Sequence, residues 1–316
     1  MRRHKVITVL LILVVIFSVL FITYGLKPTS YQYALSKRIP KLIAIIMTGS
    51  GVAVSSVIFQ TVTNNRILTP SVLGLDSLYN LMQTLIVFVL GSMNVALIGS
   101  NLNFILAGGL MIGFSLILFK MMFRQENTNL FFLLMLGMIF GTLFSSLSSF
   151  MQMIMDPNEF LIVQNKMFAS FNNVKSSLLG ISIITMGVTL IWVLKDIKKL
   201  DVLALGKEQA INLGLDYNRL VRKMLIAVSI LVSVSTALVG PITFLGILVT
   251  NLAYQMVKNY RHSLIIPTAV LISLLALIGG QLLVERVFAF NTTIGVIINF
   301  VGGLYFIYIL LKEERL

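Results

Sequence analysis

A chain of 316 residues with 58% hydrophobic and 11% charged residues and a mean hydropathy of +0.98 is excluded from the ordinary soluble domains, whose charged fraction is about a quarter. It is expected to be an integral membrane protein. The net charge of +13 would suit a nucleic-acid partner, but the basic residues lie at the ends of apolar runs, where the positive-inside rule puts them. The absence of cysteine removes disulfides, thiolate metal sites and cysteine nucleophiles together.

Met1-Arg2-Arg3-His4-Lys5 precedes an apolar run, 6–24, long enough to cross about 30 Å of hydrocarbon. The run is too long for a signal-peptide core and no small-x-small cleavage site follows, so it reads as a retained first span starting in the cytosol. Lys27 to Lys37 is then an extracytoplasmic loop. Arg38-Ile39-Pro40-Lys41 opens a second span, 39–61, with Pro40 tolerated where a helix has no intrahelical partner for its first amides. Its middle, Thr48-Gly49-Ser50-Gly51-Val52-Ala53-Val54-Ser55-Ser56, is built of small residues that let membrane helices approach closely, so this span is expected at the centre of the bundle. Gln60 and Asn64-Asn65-Arg66 follow, and Thr69-Pro70-Ser71-Val72-Leu73-Gly74 starts a third span, 71–91, that carries Asp76.

Further apolar runs at 102–122, 130–152 and 177–194 give spans four to six, with Asp156-Pro157-Asn158-Glu159 an outer turn and Phe160 to Phe171 a short surface helix. After a long polar interval come 224–239 and 242–257, separated by the helix-breaking Gly240-Pro241, then 264–283 and 294–311. The expectation is an all-α polytopic protein of about ten transmembrane helices in one membrane domain, with both termini cytosolic. Charge supports the orientation: the cytosolic segments hold seventeen of the 24 Lys and Arg residues and the outer segments seven.

The polar interval, 195–223, holds eleven of the thirty-five charged residues. Within it, Ala204 to Gly214 reads as a helix of about two turns with glycine near both ends, on which Leu205, Gln209 and Asn212 share a face. A helix this short is not stable alone in water. It has to pack against something, and a cytosolic partner fits.

Little catalytic chemistry is on offer. A phosphate-binding GxxxxGK[ST] loop is absent, because Gly206-Lys207 is followed by Glu208 and has no glycine five residues upstream. With only His4 and His262, a histidine-rich metal site is excluded, and each reads as an interfacial polar residue. No cofactor is expected. Asp76 is the one carboxylate well inside a span, so it is a pathway candidate; a solvated carboxylate facing the helix dipole is the equal alternative. An ion-driven carrier would show several such groups, so the energy source is expected on another subunit.

Three ordered blocks carry a resemblance over nearly the whole chain. They are Arg38-Ile39-Pro40-Lys41 with Gly49-Ser50-Gly51, Gln60, Asn65 and Pro70-Ser71-Val72-Leu73-Gly74; Leu205-Gly206 through Ala210 to Leu213-Gly214; and Gly240-Pro241-Ile242-Thr243-Phe244-Leu245-Gly246-Ile247. Together they are similar to the membrane permease subunit of binding-protein-dependent ABC importers for ferric siderophores, haem and cobalamin. Thr250-Asn251 stands where many members have Pro-His, Asn65-Arg66-Ile67 where they have Asn-Pro-Leu, and Ile298 to Phe306 replaces their G-x-P-x-F. That ending, with Gly280 to Arg286, resembles the catecholate-siderophore branch, which favours a ferric siderophore over haem or cobalamin.

The resemblance implies a single permease domain in the cytoplasmic membrane of a bacterium, a non-enzymatic transport subunit that pairs with a second permease, identical or paralogous. It also implies two cytosolic ATPase subunits and an extracytoplasmic binding lipoprotein. It assigns Leu205, Gly206, Ala210, Leu213 and Gly214 to ATPase coupling, and Arg38, Lys41 and Arg286 to docking of the binding protein. Gly49, Gly51, Ser56, Gln60, Asp76, Gly240, Pro241, Gly246 and Asn251 become the expected pathway, although close helix packing is the simpler reading of the glycines. A secondary carrier, whose uptake would survive loss of ATP, and a non-transporting membrane scaffold are the rival classes.

Overall fold

The computed structural model describes residues 2–25, 31–94, 100–122, 130–172 and 174–313. The end of the expected cytosolic tail, 314–316, lies outside them. The described residues are helical, in the order α1 (Arg2–Thr23), α2 (Tyr31–Thr63), a 3-10 turn (Pro70–Leu73), α3 (Leu75–Asn94), α4 (Ser100–Met122), α5 (Leu130–Met153), α6 (Pro157–Met167), α7 (Ser176–Leu194), α8 (Ile197–Leu203), α9 (Lys207–Asn212), α10 (Tyr217–Val239), α11 (Leu245–Val257), α12 (His262–Arg286) and α13 (Ile294–Glu313).

Seven of these, α1, α2, α4, α5, α7, α10 and α12, are long and apolar enough to cross a membrane, and Leu75–Gly91, Leu245–Val257 and Ile294–Ile309 are shorter apolar helices. Two irregular stretches explain much of the shortening. Pro70–Leu73 forms a 3-10 turn closed by Gly74 at φ 76°, so α3 begins at Leu75 rather than at residue 71. Gly240, at φ 105°, ends α10, and α11 does not start until Leu245. Thirteen residues of α11 extend only about 20 Å along a helix axis.

α2, α10 and α12 are the most buried of the seven long helices, whereas α1 and α5 are mostly exposed in the single chain. The central position expected of α2 is what the structure shows, and its cause is side-chain size. Between apolar helices in lipid no hydrophobic force distinguishes protein from solvent, so close van der Waals contact holds the bundle. A Cβ added at Gly51 would lie 2.2 Å from Met186 Cε and 2.5 Å from Ser235 Oγ, and one at Gly49 would lie 3.0–3.1 Å from Leu274, Leu277 and Ser273. Some buried hydroxyls bond back to their own backbone, as Ser235 of α10 does to Leu231 O at 2.7 Å and Thr250 of α11 to Gly246 O at 2.8 Å, whereas those of Thr48, Ser229, Ser233 and Ser273 have no partner among the described residues.

The turn and α5 approach closely because Gly74, Gly137 and Gly141 carry no side chain. A Cβ on Gly137 would meet Val72 O at 2.7 Å, and one on Gly74 would meet Gly137 O at 2.9 Å. α6 starts at Pro157 because Asp156 caps it, accepting from Asn158 N at 2.9 Å. The segment after α6 then ties two helix ends together: Ser170 N donates to Val239 O at 2.9 Å and Gly295 N to Ala169 O at 3.1 Å.

Gly51→Val is expected to lower the thermal stability of the detergent-solubilised chain by about 1–3 kcal/mol, because α7 and α10 have to move away from α2. Gly113→Val, where an added Cβ meets nothing within 4 Å, should leave it within about 0.5 kcal/mol. Equal thermal midpoints for the two variants would refute glycine-limited packing at α2.

Candidate functional site

The expected site residues divide into three places along the bundle. In the middle, Ser56, Asp76, Gly240 and Gly246 come together around one small cavity, with Thr48, Ser55, Thr69, Ser71, Ser235, Thr236 and Thr243 also in its wall. Its free volume of about 20 Å³ is that of a single water. Both irregular stretches end here. Thr243 Oγ1 donates to Asp76 Oδ2 at 3.4 Å and Ser71 also bonds that carboxyl, so Asp76 joins the 3-10 turn to the break before α11. A Cβ on Gly246 would lie 2.2 Å from Ser56 Oγ, and one on Gly240 3.1 Å from Ala169 Cα. Gly49, Gly51, Gly240 and Gly246 are therefore places where backbone meets a neighbour. Pro241 lies in the same break.

Gln60 and Asn251 stand nearer one end. Asn251 Nδ2 donates to Ile247 O at 3.0 Å and Arg66 O at 3.4 Å. Gln60 is 2% exposed, and neither its Nε2 nor its Oε1 has a hydrogen-bond partner. One residue on, Thr61 Oγ1 lies 2.7 Å from His262 Nε2, and the other ring nitrogen, Nδ1, lies 2.7 Å from Asp201 Oδ1 on α8. His262 is 1% exposed, so it is a buried bridge and not the interfacial residue its sequence position suggested.

The segment expected to couple to an ATPase lies at this same end. α9 is shorter than expected, six residues, with Gly206 at φ 100° before it and Gly214 at φ 81° after it. Leu205, Ile211 and Leu213 are half or more exposed, and Gln209 and Asn212 are exposed beside them. Ala210 points the other way and is fully buried. It belongs to the seat of α9, not to the surface offered to a partner. Asp196 fastens α8 to α10, bonding Lys199 at 2.6 Å and also Lys223. These two lysines hold its carboxyl below the ordinary carboxylate value, so the tie is intact at neutral pH and is lost only as the pH falls through that lowered value.

At the opposite end Arg38, Lys41 and Arg286 do converge. Arg38 Nη1 donates to Ile22 O at 2.6 Å and Tyr24 O at 2.9 Å, and Arg286 Nη2 donates to Tyr24 O at 2.7 Å with its guanidinium over the Tyr24 ring. They satisfy the carbonyls that every helix C-terminus leaves open. Lys41 pairs with Glu285 at 3.1 Å and with Asn172 at 3.0 Å, and Gln281 bonds the same two acceptors. All three cations therefore have a structural task whatever else they meet.

One feature was missed in the sequence. Thr142, Ser145, Ser146 and Ser149 of α5 are exposed along a single stripe, and with Ser71 and Ser77 they line an open groove of about 670 Å³. The signal was present in Thr142-Leu143-Phe144-Ser145-Ser146-Leu147-Ser148-Ser149, whose hydroxyls recur at helical spacing. Buried Ser148 instead joins Thr84 and Gln152 in a network between α3 and α5.

Residues 6–312 match the model of the FecCD transport family. The chain is 56% identical over 315 residues to the petrobactin import system permease protein YclO of Bacillus subtilis (strain 168), covering 100% of this chain and 99% of that protein. It is 36% identical over 287 residues to the petrobactin import system permease protein FatC of Bacillus anthracis, covering 91% and 81%. A solved transporter of the metal-chelate ABC type, in an inward-facing conformation, superposes with a TM-score of 0.84 at 21% identity over 98% of this chain and 99% of the other.

The unsatisfied amide of Gln60 makes a prediction that needs no assay of function. Removing a buried polar group that has no partner recovers its desolvation penalty, about 1–3 kcal/mol. Gln60→Leu should therefore keep or raise the thermal midpoint, and a marked loss of stability would show that the amide is bonded in the folded protein.

Proposed function

The chain belongs to the FecCD transport family, and from that premise we propose that it is the membrane-spanning permease subunit of an ABC importer that carries a ferric siderophore of the petrobactin type across the cytoplasmic membrane. The observation that carries the cargo is the 56% identity over the full chain to a petrobactin import permease, in the branch that the sequence resemblance favours. Haem and cobalamin are the alternative cargoes. Hydrolysis of ATP takes place on separate subunits, in keeping with the missing phosphate loop.

In this reading the ten apolar helices span the membrane with both termini in the cytosol, and α8 and α9 face the ATPase subunits. α9 rides in a groove of an ATPase subunit through Leu205, Ile211 and Leu213, with Gly206 and Gly214 setting the turns that project it and Ala210 seating it on the permease. Arg38 and Arg286 provide the outer cationic surface for the binding lipoprotein. Lys41 contributes less charge there, because Glu285 neutralises it. Docking charge steers association and fixes orientation.

The pathway needs a second permease subunit, identical or paralogous. A groove walled by hydroxyls and open to one side of a membrane helix is costly against lipid and is closed when a partner permease faces it. The hydroxyl stripe of α5 is then the wall, Gln60 and Asn251 are polar points at its inner end, and the Asp76 cavity holds together the broken helices behind it. A hydroxyl surface suits cargo that a separate protein has already selected, because it offers weak contacts and no deep well.

Uptake of iron-loaded petrobactin by the reconstituted assembly should require ATP and persist when ion gradients are collapsed. Leu213→Asp should cut the cargo moved per ATP by about fivefold or more while the permease remains folded, whereas Ala210→Arg should impair folding. Uptake that survives without ATP and collapses with the gradient would overturn the reading. The chain has no cysteine, so single replacements can be labelled without background. Ser146→Cys and Ser149→Cys should react with a water-soluble thiol reagent in a manner that depends on transport state, and Ser56→Cys should stay protected. Labelling of Ser56→Cys with both stripe positions silent would move the pathway to α2.

A further inference from the structure

We propose that the pocket between α7, α8 and the start of α10 binds an anionic phospholipid, with Arg219 and Arg222 taking the phosphate and the acyl chains running along α7. The inference rests on the membrane-spanning reading of the chain, and not on its cargo or its coupling to an ATPase. The pocket has a volume of about 570 Å³, far more than the roughly 30 Å³ of one water. It lies where an apolar helix ends: α7 finishes at Leu194, and Trp192 in its last turn forms one wall. Tryptophan is favoured at that depth in a membrane because its ring is apolar and its N–H polar.

The charge around the pocket is unbalanced. Four cations, Lys199, Arg219, Arg222 and Lys223, line it against two carboxylates, Asp196 and Asp216. Both carboxylates are already engaged. Asp196 binds Lys199 and Lys223, and Asp216 caps α10 by accepting from Arg219 N at 3.1 Å. The excess positive charge is therefore carried on the first turns of α10, where Arg219 and Arg222 are exposed. Lys223 stands over the Trp192 ring at 5.0 Å, which joins the cationic rim to the aromatic wall. A guanidinium offers paired donors that match two oxygens of a phosphate.

The apolar side of the site continues away from the rim. Val188, Ile184 and Ile181 follow Trp192 along α7 at helical spacing and are 64%, 69% and 43% exposed. In the reading above a partner permease covers α5, so this stripe of α7 is left to lipid. A soluble phosphate would meet the rim and leave the stripe bare, whereas a phospholipid meets both. The surface proposed to meet the ATPase, Leu205, Ile211 and Leu213, is not part of the pocket wall.

The chain has a single tryptophan, so Trp192 reports on the pocket without labelling. The full-length chain is reconstituted in phosphatidylcholine vesicles that contain a minor fraction of either phosphatidylglycerol or phosphatidylcholine with brominated acyl chains, and quenching of Trp192 fluorescence is read. Brominated phosphatidylglycerol should give half-quenching at a mole fraction about fivefold or more below that of brominated phosphatidylcholine. The pair Arg219→Gln and Arg222→Gln should abolish this preference, and the pair Arg219→Lys and Arg222→Lys, which keeps the charge, should retain most of it. Lys198→Gln, an exposed position of α8 outside the pocket wall, should change nothing. Equal quenching by the two lipids in the wild type, a preference that survives the glutamine pair, or its loss in Lys198→Gln would overturn a built site. Inorganic phosphate added outside and inside the vesicles should not relieve the quenching; relief would make the ligand a soluble anion. The preference should also persist with the ATPase subunits bound, and its disappearance there would assign the pocket to the ATPase instead. If neither brominated lipid quenches Trp192, α7 does not reach the bilayer and the membrane reading of that helix falls with the proposal.

Discussion

Backbone that leaves the helical pattern inside a bundle of apolar helices has to find its hydrogen-bond partners within the protein, and the candidate site is arranged around the places where it does so. The turn at Pro70–Leu73 and the break between Gly240 and Leu245 lie against each other, and the Asp76 carboxyl, bonded by Ser71 and Thr243, joins them. Where α1 ends, Arg38 and Arg286 donate to its last carbonyls. These arginines, which look functional in the sequence, thus begin as solutions to a backbone problem. A break in a helix is also where it can bend.

Close packing explains why small residues accumulate where they do. Gly51 and Gly246 leave no room for a Cβ beside Met186, Ser235 and Ser56, and the cavity between these helices has room for about one water. The buried centre is therefore tight, a poor route for a bulky chelate. The exposed hydroxyl stripe of α5 has the opposite character. In the proposed function, a transport path at the boundary between two permease chains would leave each chain's own core undisturbed.

The two ends of the molecule divide the labour differently. The end at which α1 finishes ties α1, α2 and α12 with arginine, lysine and glutamate contacts at a partly exposed surface, where an isolated ion pair is worth only about 0–1 kcal/mol. The end that carries α8 and α9 uses a fully buried histidine with short bonds to two other elements.

Much of this was legible in the sequence because membrane helices have to be long, apolar and self-satisfied, and that constraint writes itself along the chain. Composition determined the class, and apolar runs located the helices. The glycines of α2, the Gly240-Pro241 break and the short helix between Gly206 and Gly214 were read from residue type and spacing. What the sequence did not contain was direction. Ala210 and Leu213 stand three residues apart in one motif, yet one is buried and the other exposed. His262 reads as an interfacial residue until Asp201 and Thr61, sixty-one and 201 residues away, meet it. The stripe on α5 and the orphaned amide of Gln60 likewise depend on which neighbours cover a helix face. The order of apolar and polar residues sets the helices by local physics, whereas which side of each helix is covered is decided only by packing between segments far apart in the chain.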